Sequence, residues 1–258
     1  AFVAAAKGQT AALDALVNAG CDVDQAAKDG ATPAYIAAQN GQTAALELLV
    51  KAGCDLDQAE KRFGMTPAYI AALNGQAAAL KILVQAGCNL NQADKYGDTP
   101  ASIAAKKGQT AAFELLVKAP GCDVNQAAKN GETPAYIATQ EGNTAALKIL
   151  IEAGCDVNQA ENNGQTPAYI AAHEGHTAAL ELLVKATRDM NQAAKNGVTP
   201  AHIAAAQKGL TATVAAATLE KNRKTNKNVA AATRTTLEKN RKKNKKKKEK
   251  KKARAAAI

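Results

Sequence analysis

Cysteines are the first candidates for chemistry. Cys21, Cys54, Cys88, Cys122 and Cys155 each stand before an Asp or Asn, and they recur every 33 or 34 residues. Thiols at a fixed period could pair, hold a metal or attack an electrophile. If each belongs to one layer of a stack, equivalent atoms lie about 10 Å apart, the distance between packed helices. A disulfide needs Cα atoms within about 7 Å, so neighbours should not pair and no disulfides are expected. The position then reads as a small buried hydrophobic slot. Five unpaired thiols suit an intracellular, reducing compartment, with nucleus, cytoplasm and organelle interior all open.

Histidine offers less. His173-Glu174-Gly175-His176 puts two imidazoles at i, i+3, but Gly175 should end a helix between them. No second pair of ligands is near, as a tetrahedral metal site would need. A solvated helix end is the expectation, with no metal and no cofactor. No nucleophile–base constellation, phosphate loop or paired-carboxylate motif stands out, so the reading is non-catalytic, not an enzyme.

Charge is concentrated at one end. The chain holds 33 basic and 23 acidic residues; 17 of the basic and three of the acidic lie from Leu219 to Ile258. The rest is left mildly acidic, with 16 basic and 20 acidic residues. Lys242, Lys243, Lys245, Lys246, Lys247, Lys248, Lys250, Lys251 and Lys252 form the densest run. Such a run repels itself and is usually disordered alone. It is open to several uses: nucleic-acid phosphates, a nuclear-localisation-like patch, an acidic protein or anionic membrane surface, or plain solubility. No aromatics interleave it to stack bases. Before it, Val214–Asn228 returns in altered form as Val229–Lys245, rich in helix formers but without an apolar stripe. This tail, residues 218–258, is therefore expected to be helical or disordered. No apolar run is long enough to span a membrane, and no transmembrane segment is expected.

What must position the cysteines is a repeat. The phrase TPAYIAAQNGQTAALELLVKAGCDLDQA recurs from Thr32, Thr66, Thr99, Thr133, Thr166 and Thr199, after a partial copy in which Phe2-Val3-Ala4-Ala5 matches Tyr35-Ile36-Ala37-Ala38. Thr32 can cap a helix through its hydroxyl, and Pro33 suits the first helical position. Gly41 should stop that helix after about two turns. A second helix should run from about Thr43 to Ala52, with Leu46, Leu49 and Val50 on one face, and Gly53 should end it. One residue is inserted in the Glu60–Phe63 turn and another at Pro120, both in loops, where an insertion disturbs least. Val214, Ala216 and Ala217 replace leucines in the last copy, as a capping repeat would allow. Phe2, Val3 and Ala4 are not polar capping residues, so upstream residues or a partner are expected to cover that end.

These copies resemble the ankyrin signature Thr-Pro-Leu-His-x-Ala-Ala-x-x-Gly, and AGCDVNQ resembles the family's Gly-Ala-Asp-Val-Asn. Ala34 and its equivalents replace the family's Leu. Tyr35, Tyr69, Tyr136 and Tyr169 replace its His, with Ser102 and His202 there in two copies. The resemblance implies an all-α ankyrin-repeat solenoid of helix pairs joined by turns over residues 1–217. It also implies a concave binding face formed by turn tips and first-helix ends. The tyrosines recur along one line, as inter-repeat packing or as an aromatic ligand stripe. Most tips are polar, whereas Phe63, Met65, Leu73 and Tyr96 fall in adjacent copies, as apolar and aromatic anchors of the kind binding hot spots use or as local packing of the tips. With Arg62, Lys106 and Lys107 they are the expected partner-binding residues. The expected function is a protein-binding scaffold or adaptor with a tail for anionic surfaces. The alternative is a structural or linker subunit of a ribonucleoprotein or membrane complex.

Overall fold

The computed structural model describes residues 1–186. The seventh copy from Thr199 with its His202, the 217/218 boundary and the whole Lys-rich tail lie outside the described residues. Within them the chain is helical and contains no strand. Six helix pairs follow one another: α1 (Phe2–Ala6) and α2 (Thr10–Asn18), α3 (Pro33–Gln39) and α4 (Thr43–Lys51), α5 (Pro67–Leu73) and α6 (Ala77–Gln85), α7 (Pro100–Lys106) and α8 (Thr110–Lys118), α9 (Pro134–Gln140) and α10 (Thr144–Glu152), α11 (Pro167–Glu174) and α12 (Thr177–Ala186). First helices pack against first helices of the next pair, and second against second.

Local chemistry sets the helix starts. The hydroxyl oxygens of Thr32, Thr66, Thr99, Thr133 and Thr166 accept the backbone N–H three residues on, at 3.1 to 3.2 Å. Each threonine is buried and is followed by proline at N1. Three residues on, Tyr35, Tyr69, Tyr136 and Tyr169 are all buried between repeats. The Tyr69 hydroxyl donates to Asp94 Oδ2 at 3.1 Å, and that of Tyr136 to Gln165 Oε1 at 3.2 Å, so each reaches the next turn. The tyrosine line is therefore packing, not an open stripe. The core is a spine of large side chains from the second helices, Leu13, Leu46, Leu80, Phe113, Leu147 and Leu180, each fully buried. Thin alanine-rich first helices let the layers approach closely. Val50 is only half-buried, so the buried face of α4 is Ala45, Leu46 and Leu49.

Three ladders lace neighbouring copies. At the turn tips, backbone N–H groups of Lys61, Lys95, Lys129 and Asn162 donate to the carbonyls of Asp29, Phe63, Tyr96 and Asn130 in the preceding copy, at 2.7 to 3.0 Å. At the start of the second helices, Gln76, Gln109, Asn143 and His176 reach back to carbonyls of Gln39, Leu73, Ala105 and Gln140 at 3.0 to 3.4 Å. After the second helices, Asp24, Asp57, Asn91 and Asn125 accept the N–H of Asp55, Asn89, Asp123 and Asp156 in the following copy at 2.7 to 2.8 Å. An acid serves in the first two rungs of that last ladder and an amide in the next two, because only an accepting oxygen is used.

Both insertions leave a local signature. Four of the tips close with an i→i+3 bond to the turn glycine, whereas Gly64 N–H bonds Glu60 O, four residues back, at 3.1 Å. At the other, Pro120 disfavours the helical conformation of the residue before it. Ala119 is accordingly extended, at ψ 138°, where Ala52, Ala86 and Ala153 cap their helices in the αR region.

The cysteines are free thiols, but they do not share one environment. Cys54 and Cys88 are buried, Cys122 and Cys155 half-buried, and Cys21 exposed. The uniform buried slot read from the spacing is thus corrected. Cys21 belongs to the first pair, which has a neighbouring copy on one side only among the described residues. At the same end Val3 is 62% exposed, and Ala1, Phe2 and Leu16 line an open apolar depression of about 500 Å³. No helix of the described residues is long and apolar enough to cross a membrane.

Candidate protein-binding face

The turn tips are hydrogen-bonded internally by their own acidic side chains. The Glu60 carboxylate accepts the N–H groups of Arg62, Phe63 and Met65 at 2.6, 2.5 and 3.2 Å. Burial alone would raise the pKa of this carboxyl, yet those N–H groups, with that of Gly64, hold it below its ordinary value. Asp94 does the same work one copy on, accepting from Tyr96 N–H at 2.8 Å and Asp98 N–H at 2.9 Å. Glu161 accepts from Asn163 and Gln165. Lys95 adds a tie between copies: its Nζ donates to the carbonyls of Lys61 and Arg62 at 2.6 and 2.7 Å. Asn162 Nδ2 makes the equivalent bond to Lys129 O at 2.9 Å.

On this frame the expected binding residues separate into two groups. Phe63 is half-buried, and the exposed Arg62 lies over its ring with the guanidinium carbon 4.8 Å from the centroid. That is a local cation–π contact. Met65 and Leu73 are half-buried too, and the Leu73 carbonyl is taken by Gln109. Tyr96 is different. Its backbone is bonded on both sides, to Asp94 and to Lys129, while its side chain is 62% exposed. It lines a cleft of about 370 Å³ with Asp98, Lys106, Ala128, Lys129, Asn130 and Glu132. Two turn tips and the end of α7 therefore converge, bringing Tyr96 and Lys106 together. Lys107 is exposed beside Lys106 but does not line the cleft.

Electrostatics in the cleft are mixed. Burial raises the pKa of the Asp98 carboxyl, the Asp94 and Glu132 charges add to this, and Lys106 opposes them. Glu132 escaped the sequence reading, although it occupies the same repeat slot as Met65 and Asp98, and comparing slots across all copies would have found it. Elsewhere, three buried tyrosines hold their protons more tightly than a free phenol. Burial, then the Glu60 and Asp29 charges, pushes Tyr35 up to about 12, and burial with Glu161 and Glu132 does the same for Tyr136. Tyr69 is raised as well, by burial and the charge of Asp94.

The His173-Glu174-Gly175-His176 segment is used structurally. Gly175 caps α11 in the left-handed region at φ 75°, and His176 Nε2 meets Gln140 O at 3.0 Å in the inter-repeat ladder. His173 Nδ1 lies 2.9 Å from Glu174 Oε1, and its ring stacks on Tyr169 at 6.3 Å. The two imidazoles face different neighbours.

A tandem array of capped helix pairs with laced tips is the architecture of a repeat scaffold. The ankyrin repeat pattern, taken three copies at a time, matches residues 1–94, 51–128, 79–161, 102–193 and 150–229, and the chain belongs to the ankyrin repeat family. Among solved structures it is similar to the ankyrin repeat domain of Bcl-3, described as a unique member of the IkappaB protein family. The TM-score is 0.73 at 22% identity, over 78% of this chain and 92% of that one. At that identity the likeness concerns the fold. A search of curated proteins found no match. Ankyrin repeats are in general a protein-interaction module, typically non-catalytic.

Proposed function

We propose that this chain is a non-catalytic scaffold or adaptor that binds a protein partner on the face carrying the turn tips and first-helix ends. One observation supports the reading above others: an exposed aromatic, Tyr96, stands on a backbone fixed from both sides at the rim of a cleft. A rigid aromatic anchor loses little entropy on binding, and Tyr is enriched at hot spots. Replacing Phe63 and Tyr96 with Ala should weaken binding of the partner by about 2 kcal/mol or more, with the helical circular dichroism spectrum unchanged. Unchanged affinity would turn the reading down.

The basic tail is a separate element of the proposal, supported by its charge. Lys242–Lys252 would attach the scaffold to nucleic acid or an anionic lipid surface by counterion release and charge attraction. Removing residues 237–258 should abolish most salt-sensitive polyanion binding and leave the repeats folded. The competing proposal, a structural or linker subunit of a large ribonucleoprotein or membrane complex, rests on the same tail. Affinity purification from the native source separates the two: a particle of fixed stoichiometry favours the subunit. The free thiols fit an intracellular, reducing location within the same proposal.

A further inference from the structure

Residues 1–186 hold 13 Lys and Arg against 19 Asp and Glu, so the described repeats as a body disfavour anions. Six of the 13 cations nevertheless gather at the tips and first-helix end of three adjacent copies: Lys61, Arg62, Lys95, Lys106, Lys107 and Lys129. All six are exposed. The carboxylates of the same tips are withdrawn. Glu60 is buried and Asp94 half-buried, both turned onto backbone N–H groups, and Asp98 and Glu132 are half-buried at the cleft. What this part of the face offers to solvent is an excess of positive charge around one exposed tyrosine ring, against the half-buried Asp98 and Glu132 in the cleft and the exposed Glu141 at the end of α9.

Spacing adds a second constraint. Successive copies are set about 10 Å apart by helix packing, and an extended chain advances roughly 3.3 Å per residue. Three extended residues therefore span one copy. Resting on the protein-binding reading above, we propose that this face docks an extended acidic segment of the partner. Its carboxylates at every third position meet Lys61, Arg62, Lys106 and Lys129, and one apolar or aromatic side chain seats in the cleft beside Tyr96. Complementary charge sets register and suppresses wrong partners, while the ring supplies the anchor.

The probe is a fluorescein-labelled 13-residue peptide with Glu at every third position and one central Phe. It is compared with the same peptide carrying Ala for Phe, and with its Lys-for-Glu counterpart. Because the tail itself attracts acids, binding is read by anisotropy on the full chain with Lys242–Lys252 changed from Lys to Gln. The Glu/Phe peptide should bind and the Lys peptide should not. K106E/K129E should weaken binding about tenfold or more, and Tyr96→Ala should erase the advantage of Phe over Ala. Equal binding to K106E/K129E overturns the proposal, as does tighter binding of a 15-base oligothymidine than of the peptide on the same face. A photo-reactive p-benzoylphenylalanine at Tyr96, used in native extract with the cross-linked segment mapped, separates this proposal from the reading beneath it. An acidic segment supports both. A neutral or basic segment overturns the acidic docking and leaves the scaffold standing. No protein captured from position 96, when the same photo-reactive residue at the exposed Lys118 of α8 captures one, defeats both.

Discussion

Thr133 carries a helix start on a single oxygen. Its hydroxyl accepts Tyr136 N–H at 3.2 Å in a site that is 1% exposed, so water cannot replace it. Thr133→Ala should cost about 1 kcal/mol and up to roughly 2, read as a lowered midpoint in urea with the m-value unchanged. The cysteines make a second case at this scale. Burial, helped by the charges of Asp24 and Asp55, pushes the Cys54 thiol up to about 12, and burial with the charge of Asp57 does the same to Cys88. The thiolate is the reactive form, and Cys21 is exposed where those two are buried. Native iodoacetamide labelling near neutral pH should modify Cys21 well ahead of Cys54 and Cys88, and denaturation should make all five react. Peptide mapping that found Cys54 labelled as fast as Cys21 would contradict the burial assigned here.

Turns differ in what they tolerate. Gly53 and Gly97 both have positive φ, at 78° and 89°. An added Cβ at Gly53 meets nothing within 4 Å, whereas at Gly97 it would lie 2.6 Å from the backbone nitrogen of Lys129. That nitrogen is also the donor of the tip-to-tip bond to Tyr96 O. Gly53→Ala should therefore cost only the left-handed penalty, about 1–2 kcal/mol. Gly97→Ala should cost clearly more and should slacken the Tyr96 tip with it. Thermal melts of the two variants decide the matter, and equal losses would show that the close approach at Gly97 relaxes freely. The two insertions show elements absorbing a residue without passing it on: the Glu60 tip widens by one residue, and Ala119 leaves the helix before Pro120, while α8 and α9 keep their lengths of nine and seven residues.

For the array as a whole, alkaline pH is the natural stress. Four thiols and several tyrosines hold their protons more tightly when folded than an unfolded chain does. The thiols rise from 9.0 to about 12 for Cys54 and Cys88 and about 11 for Cys122 and Cys155, with Tyr35 and Tyr136 moving from 10.0 to about 12. Their contribution is complete below about pH 9 and is lost as pH climbs through 11 to 12, because ionising each group then favours the unfolded chain. Urea midpoints should be flat from pH 7 to 9 and fall steeply above it. Cys54→Ala with Cys88→Ala should blunt the fall. A midpoint unchanged at pH 11 would refute this account.

Period, helix pairs, caps and the place of both insertions follow from the sequence, because each is enforced within a few residues: Thr before Pro, Gly at positive φ, Leu at i and i+3. Such local rules repeat without needing a neighbour. The separate fates of Cys21 and Cys54, or of Phe63 and Tyr96, depend on which copy lies alongside. One slot in the repeat can be core in one layer and surface in another, and only stacking sets that. The ladders through Gln76, His176 and Asn91 were equally hidden, since their partners lie 30 or more residues away. Residue types and their spacing are enough to specify the array and to single out Tyr96 and Lys106 as separate candidates. That the two share a cleft follows from packing, because tips and helix ends of successive copies meet only once the layers are stacked.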